Sequence, residues 1–260
     1  MGTALYYAMK RAGLVIFMLV VSLSMAYPGT AAAGPPFLTD DPEPVAYHHL
    51  ELYLFGILDR TKDDTTVQAP AVEFNYGVLP DTQLHLVVPY TGNYPSQGAA
   101  WHGLGDIELG IKYRFIHESG GVPQVGVFPM IEIPTGNAGR GPGNGVAWYR
   151  LPLWVQKSFG RWTTYGGGGY AINPAPGMRN YPFGGWLLQN DITGKLTLGG
   201  ELFAQGPDTA DAEYTLIANA GGYWNFIGDF SLLFSAGHSI AGEQHLVAYA
   251  ALYWTWGPEK

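Results

Sequence analysis

Within residues 105–116 the charged side chains all fall on one parity, and the apolar side chains Ile107, Leu109, Ile111, Tyr113 and Phe115 fall on the other. The segment reads GDIELGIKYRFI, and its charged positions are Asp106, Glu108, Lys112 and Arg114. Successive side chains of a strand point to opposite faces, so a strand would collect these charges on one face and the apolar residues on the other. A helix would scatter both groups around its axis. The segment therefore predicts a strand, either of a soluble barrel with a packed interior or of an outer-membrane barrel with a wet lumen.

The composition of the chain favours the membrane alternative. Charged residues make up 13 % of the sequence, against roughly 25 % in a typical soluble domain. Aromatic residues make up 14 %, and there are 37 glycines. Beyond the N-terminus no stretch approaches the ~20 apolar residues of a membrane-spanning helix, so strands would have to cross the membrane. The sequence contains no cysteine, which excludes disulfides, thiolate catalysis and cysteine-based metal sites.

Residues 1–33 read as a cleaved secretory signal. Lys10 and Arg11 form its positive region, an apolar run follows, and small residues offer a cleavage site at Ala33 or, alternatively, at Ala26. An uncleaved anchor helix is the other reading of this segment. Removal of the signal deletes two of the 13 basic residues and none of the 21 acidic ones, which gives a net charge of −10. So acidic a chain is not expected to bind nucleic acid, which selects basic surfaces.

The remaining chain divides into a lead-in, a barrel and a short tail. Residues 34–45 are rich in proline and aspartate, lack periodicity and are expected to form an extended periplasmic segment. Residues 46–256 divide into about twelve strand-length blocks, and single-chain bacterial barrels have even strand numbers. The connections alternate between short turns and mostly longer loops, as in barrels with both termini in the periplasm. The sequence therefore predicts an all-β fold, a transmembrane antiparallel up-and-down β-barrel, followed by a tail at 257–260.

Two further features fit this prediction. Residues 91–104 are expected to form a long outer loop, and 134–145 form a glycine-rich one. Aromatic residues near strand ends are candidates for the two aromatic girdles of such a barrel. They are Tyr90, Tyr113, Phe115, Trp148, Tyr149, Trp162, Trp186, Trp224, Trp254 and Trp256.

Four segments together resemble one known family. They are PFLTDDPEPV in the lead-in, the strand GDIELGIKYRFI, the segment PMIEIPTGN, and GWLLQNDITGKLTLGGELF. Over residues 35–256 the chain is similar to the outer-membrane barrels of the MetA-pathway of phenol degradation family. This resemblance implies an outer-membrane channel for small compounds, with aromatic compounds suggested by the family's name. It implies no catalytic motif.

The leading functional hypothesis is passive passage of small molecules through the lumen, biased by inward charges and gated by the glycine-rich outer loops. A plugged lumen, in which acids and bases pair across strands and only hold the barrel together, is the second hypothesis. The residues predicted to line the lumen are Glu51, Glu73, His85, Asp106, Glu108, Lys112, Arg114, Glu132, Arg150, Lys195 and Glu201.

A third hypothesis is an outer-membrane lipid hydrolase that uses His117 and Ser119. Such enzymes need this pair near the outer leaflet, whereas the predicted layout places it at a periplasmic turn. We therefore expect no catalytic residue, no cofactor and no metal site. The expected partners are outer-membrane lipid, a small-molecule solute and the barrel-assembly machinery, in the outer membrane of a Gram-negative bacterium.

Overall fold

The computed structural model describes residues 35–140 and 142–258, and the predicted signal at 1–33 lies outside these residues. No helix within the described ranges is long and apolar enough to cross a bilayer. Ala138–Arg140 forms a short 3-10 helix. The strand segments are β1 (Leu50–Arg60), β2 (Asp64–Leu79), β3 (Thr82–Pro95), β4 (Trp101–Leu104), β5 (Ile107–Ile116), β6 (Gln124–Val127), β7 (Met130–Ile133), β8 (Trp148–Phe159), β9 (Trp162–Ile172), β10 (Tyr181–Asp191), β11 (Leu196–Gln205), β12 (Thr215–Ile227), β13 (Phe230–Gly242) and β14 (Leu246–Trp256).

These segments form one closed antiparallel barrel. Strand β1 pairs with β14 along its whole length, from Leu50 opposite Trp256 to Arg60 opposite Leu246. Strands β4 and β5 both pair with β3 and lie in line, as do β6 and β7 between β5 and β8. The fourteen segments therefore make twelve barrel strands, which confirms the predicted fold. Among the described residues, each of the twelve barrel strands pairs on both sides, as a structure in hydrocarbon requires, and the short segment β4 pairs with β3 on one side.

The alternation of side chains along the strands also follows the prediction. On β5, Ile111 is 49 % exposed on the outer face, whereas Lys112 is 4 % exposed inside. Large apolar side chains are exposed all around the barrel, among them Leu54, Leu84, Leu151, Leu202 and Leu252. A water-soluble protein rarely exposes so continuous an apolar surface, whereas lipid covers it in an outer-membrane barrel.

The segment 91–104 differs from its prediction as a loop. Strand β3 continues to Pro95 and pairs with β4, with Tyr90 opposite Leu104 and Asn93 opposite Trp101. The residues of this hairpin are largely polar or glycine, so they lack the apolar alternation from which strands were predicted. Backbone hydrogen bonds hold the two strands together, and a hairpin outside the hydrocarbon needs no apolar face. Only the residues between β3 and β4 remain as a loop.

One of the predicted girdle aromatics lies elsewhere. Trp186 occupies the middle of β10 and is 55 % exposed, with its indole Nε1 donating to Thr164 Oγ1 at 2.8 Å. A Cβ on Gly166 of β9 would lie 2.5 Å from the Trp186 ring, so glycine is required beside it. Trp254, by contrast, lies near the end of β14 and stacks on Phe230 with ring centroids 5.4 Å apart.

Candidate functional site

The N-terminal segment, defined here as residues 36–45, lies inside the barrel instead of extending outside it. Thr39 and Asp41 have no exposed surface. Beyond Val45 the chain reaches the wall, where the His48 amide donates to the Gly77 carbonyl at 2.8 Å. The location therefore differs from the predicted periplasmic lead-in. The cause is the lumen itself, whose buried charges and amides bind the backbone and carboxylates of this segment.

One side of the lumen accepts hydrogen bonds from the backbone of the segment. The amides of Leu38 and Thr39 donate to the two carboxylate oxygens of Glu201 on β11, each at 2.8 Å. Asn219 on β12 donates to the same carboxylate at 2.9 Å. Glu201 is 4 % exposed, and three donors therefore compensate its buried charge.

The opposite side of the lumen donates to the carboxylates of the segment. Lys112 Nζ on β5 lies 3.0 Å from Asp40 Oδ1 and 3.4 Å from Asp41 Oδ2. It also lies 4.9 Å from the centre of the Phe128 ring, within range of a cation–π interaction. Because β5 and β11 lie five strands apart in a barrel of twelve, the segment crosses the lumen between Lys112 and Glu201.

Further donors contact Glu43, nearer the end of the barrel at which short turns join the strands, here called the short-turn end. The side-chain amides of Gln124 on β6 and Gln156 on β8 donate to Glu43 Oε2 at 3.2 and 3.3 Å. Arg114 Nη1 lies 3.8 Å from Glu43 Oε1 and donates to Gln124 Oε1 at 3.0 Å. We call Lys112, Arg114, Gln124 and Gln156 the donor wall.

Arg114 also holds the short turn between β2 and β3. Its Nε and Nη2 donate to Asp81 Oδ1 at 3.1 and 2.7 Å, and His117 Nε2 lies 2.9 Å from Asp81 Oδ2. Burial alone would raise the pKa of Asp81, but the hydrogen bonds and charge of Arg114, together with His117, lower it below its usual value. This turn lies outside the strands and its ion pair is accessible to a pH titration.

We expect Asp81→Asn to lower the free energy of unfolding at neutral pH by about 1 kcal/mol, since Asp81 is partly exposed. A carboxylate with a lowered pKa stabilises the fold above its unfolded pKa of about 3.9, and this contribution disappears as the pH falls through the folded pKa. Urea unfolding in lipid vesicles should therefore show a difference at pH 7 that vanishes in acid. Asp63→Asn is the matched control, because Asp63 is exposed and lies 3.8 Å from an exposed Lys62. A pH-independent difference would contradict this account.

A second charged network lies on β2, β3, β5 and β8. His85 Nε2 lies 3.0 Å from Glu108 Oε1, and its Nδ1 lies 2.7 Å from Asn75 Oδ1. Asn75 donates to Glu73 at 2.8 Å, and Arg150 donates to the second oxygen of Glu108. Four of the residues predicted to line the lumen, Glu73, His85, Glu108 and Arg150, thus lie together in this network, in which Asn75 joins Glu73 to His85. Glu132 on β7 is opposite Glu108 in the strand register.

Asp106 fixes the glycine-rich loop between β7 and β8. Its carboxylate accepts the backbone amides of Gly136 at 2.8 Å and Asn144 at 2.7 Å. Ideal Cβ atoms on Gly136 and Gly143 would each lie 3.0 Å from Asp106 Oδ1, so the loop packs closely on this carboxylate. Asp106, predicted to line the lumen, therefore anchors a loop at the long-loop end of the barrel.

An aromatic cluster fills the side of the lumen formed by β1, β12, β13 and β14. Tyr53 and Phe55 of β1 pack with Tyr223 of β12 and Leu233 of β13, and all four are buried. Tyr249 stacks on Phe55 with ring centroids 5.7 Å apart. None of these side chains is among the residues predicted to line the lumen.

The remaining two predicted residues lie toward the short-turn end. Glu51 accepts the hydroxyls of Tyr53 at 3.1 Å and Tyr253 at 2.7 Å. Lys195 is exposed in the turn before β11 and does not lie in the lumen. The hydroxyl of Thr193 accepts the amides of residues 195 and 196, and so the turn extends through Lys195.

The pair weighed for lipid hydrolysis lies at the same end. His117 is exposed beside Asp81, and Ser119 forms backbone hydrogen bonds with Val122 in the turn after β5. Sequence reasoning did not identify Asp40, Asp41 or Glu43 as partners of the lumen. The signal that could have found them is the pair Asp40–Asp41, which precedes the barrel and could have been matched with the inward-facing Lys112.

No family model matches the chain, and neither does any curated protein. Solved structures do resemble it. The COG4313 outer membrane channel from Pseudomonas putida F1 has a TM-score of 0.71 and 13 % identity, and the match covers 86 % of this chain and 100 % of that one. The translocator domain of the autotransporter NalP from Neisseria meningitidis has a TM-score of 0.57 and 10 % identity, covering 98 % and 99 %. The beta domain of the Bordetella autotransporter BrkA has a TM-score of 0.51 and 11 % identity, covering 81 % and 100 %. At these identities the likeness shows the fold, which is that of an outer-membrane β-barrel.

Proposed function

We propose that this protein is a bacterial outer-membrane channel for small molecules, and that its N-terminal segment obstructs the lumen in the conformation described here. The observation that carries the proposal is the mode of attachment of the segment. Polar contacts with Lys112 and Glu201 hold it across the lumen, and polar contacts exchange with water more readily than an apolar core does. The segment can therefore leave while the hydrogen-bonded barrel stays intact.

The channel proposal combines the first two hypotheses, passage through the lumen and a plugged lumen. The lumen contains acid–base pairs, as the plugged alternative requires, but the obstructing element is a separate strip of chain. The resemblance to the MetA-pathway family supports passage of small compounds, with aromatic compounds as its narrower implication. We assign no catalytic role to His117 or Ser119.

The apolar outer face and the closed sheet support a place in the outer membrane, in contact with lipid. Insertion there would follow export under the signal at 1–33 and folding by the barrel-assembly machinery. The small-molecule solute is the remaining proposed partner.

The test is single-channel recording of the refolded full chain in planar bilayers. We expect wild-type protein to open rarely and Asp40→Asn/Asp41→Asn to open about tenfold more often, since two charge-assisted contacts with Lys112 are weakened. The matched control, Asp211→Asn/Glu213→Gln, removes two exposed acids from an outer loop and should behave as wild type. Folded barrels of all three proteins that never conduct would overturn the channel proposal.

A further inference from the structure

We propose that the solute of this channel is a small organic acid with two carboxylates, which binds the donor wall in place of Asp40, Asp41 and Glu43. This inference rests on the proposed channel function and names its substrate class. The N-terminal segment then acts as a built-in competitor, whose acidic side chains occupy the positions that the carboxylates of the solute would take.

Three side chains of the donor wall contact carboxylates of the segment. Lys112 is 4 % exposed and contacts two carboxylates of the segment, at 3.0 and 3.4 Å. The amides of Gln124 and Gln156 point at a third, that of Glu43. Each of these side chains directs an N–H group at a carboxylate oxygen, which is the charge-assisted pairing that recognises organic anions.

When the segment leaves, Lys112 loses its counter-charges. A buried cation without a partner is costly, and the nearby acids of the barrel already have partners. Glu108 is bound by His85 and Arg150, and Glu51 accepts two tyrosine hydroxyls. A solute carboxylate would restore the missing pair.

Two carboxylates are required because the wall binds at two places. Asp41 contacts Lys112 while Glu43, two residues further, contacts the two glutamines. A cavity of about 280 Å³ at the short-turn end is lined by Glu43 together with donor-wall residues. It gives a solute access to Arg114, Gln124 and Gln156, the part of the donor wall next to Glu43, while the segment is still in place.

The first test compares two full-chain variants that both weaken the segment. Asp40→Asn/Asp41→Asn keeps the donor wall, whereas Lys112→Met removes its cation. We expect glutarate to block current through the first variant and to block the second about tenfold less well. Glutaramide, which is isosteric and neutral, should block neither. Equal block of the two variants by glutarate, or no block of either, would overturn the inference although the channel itself conducts.

The second test needs no conductance. The sequence has no cysteine, so Thr39→Cys creates a single thiol within the buried part of the segment. We expect glutarate to accelerate maleimide labelling of this thiol several-fold in folded protein, and glutaramide to leave it unchanged. Asn137→Cys, in an exposed outer loop, is the control for direct effects on the reagent. If glutarate does not change the labelling rate of Thr39→Cys, the inference that a dicarboxylate displaces the segment is refuted. If glutarate accelerates labelling but no variant conducts, the binding of the dicarboxylate stands and only the channel function is refuted.

Discussion

We expect Lys112→Met to release the N-terminal segment and to raise the open probability of the channel about a hundredfold. Lys112 is the cation that faces both Asp40 and Asp41, and Asp41 has no exposed surface. Removing one partner of a buried ion pair costs about 3 kcal/mol or more, because the other charge is left without compensation. The segment avoids this cost by moving into water. Single-channel recording measures the change directly.

Lys157→Met provides the matched control for that experiment. Lys157 pairs with Glu118 at 2.8 Å near the short-turn end and has no contact with the segment among its hydrogen bonds. The variant removes the same charge from the same barrel and should open as rarely as wild type. A similar rise in both variants would show that any lost lysine loosens the barrel, and the role assigned to Lys112 would be wrong.

We expect Leu202→Arg to lower the free energy of unfolding in lipid vesicles by about 2–4 kcal/mol. Leu202 is 53 % exposed on the outer face of β11, near the middle of the strand, where an arginine would meet hydrocarbon. Ile227→Arg is the comparison, because Ile227 is 65 % exposed at the end of β12, beside a short turn, and should cost about 0–1 kcal/mol. Urea unfolding of both variants measures the difference. Equal effects would argue against a bilayer around this face.

Much of the barrel could be predicted because its information is local. The alternation at 105–116 puts Lys112 and Ile111 on opposite faces without any knowledge of neighbouring strands, and the low content of charged residues then indicates that the apolar face points outward. The strand count follows from the same alternation and from the turn signals between strands. The glycine-rich composition of 91–104, by contrast, led to the prediction of a loop, whereas the structure has a polar hairpin there that continues beyond the apolar surface.

The candidate site could be predicted only in part, because its contacts join distant parts of the chain. Ser235 Oγ donates to the Pro36 carbonyl, and these residues are 199 positions apart in the sequence. No local sequence pattern predicts such a contact. The parity rule placed Glu201 and Lys112 inside but could not supply their partners. It also placed Lys195 inside, where Thr193 instead extends the turn. Inward facing is thus a property of a strand, whereas the occupant of a lumen depends on the whole fold.

The measurement that tests the central claim most directly tethers the segment to the wall of an otherwise opened channel. An ideal Cβ on Gly126 of β6 lies 3.1 Å from the Pro42 Cβ and 2.9 Å from the Tyr113 carbonyl oxygen, so the backbone must shift by several tenths of an ångström to relieve this contact and reach the Cβ–Cβ distance of a disulfide. We would record Lys112→Met carrying Pro42→Cys and Gly126→Cys before and after adding a reductant. The account predicts a closed channel when the disulfide is formed and an open one after reduction. Current that is the same in both states would contradict it.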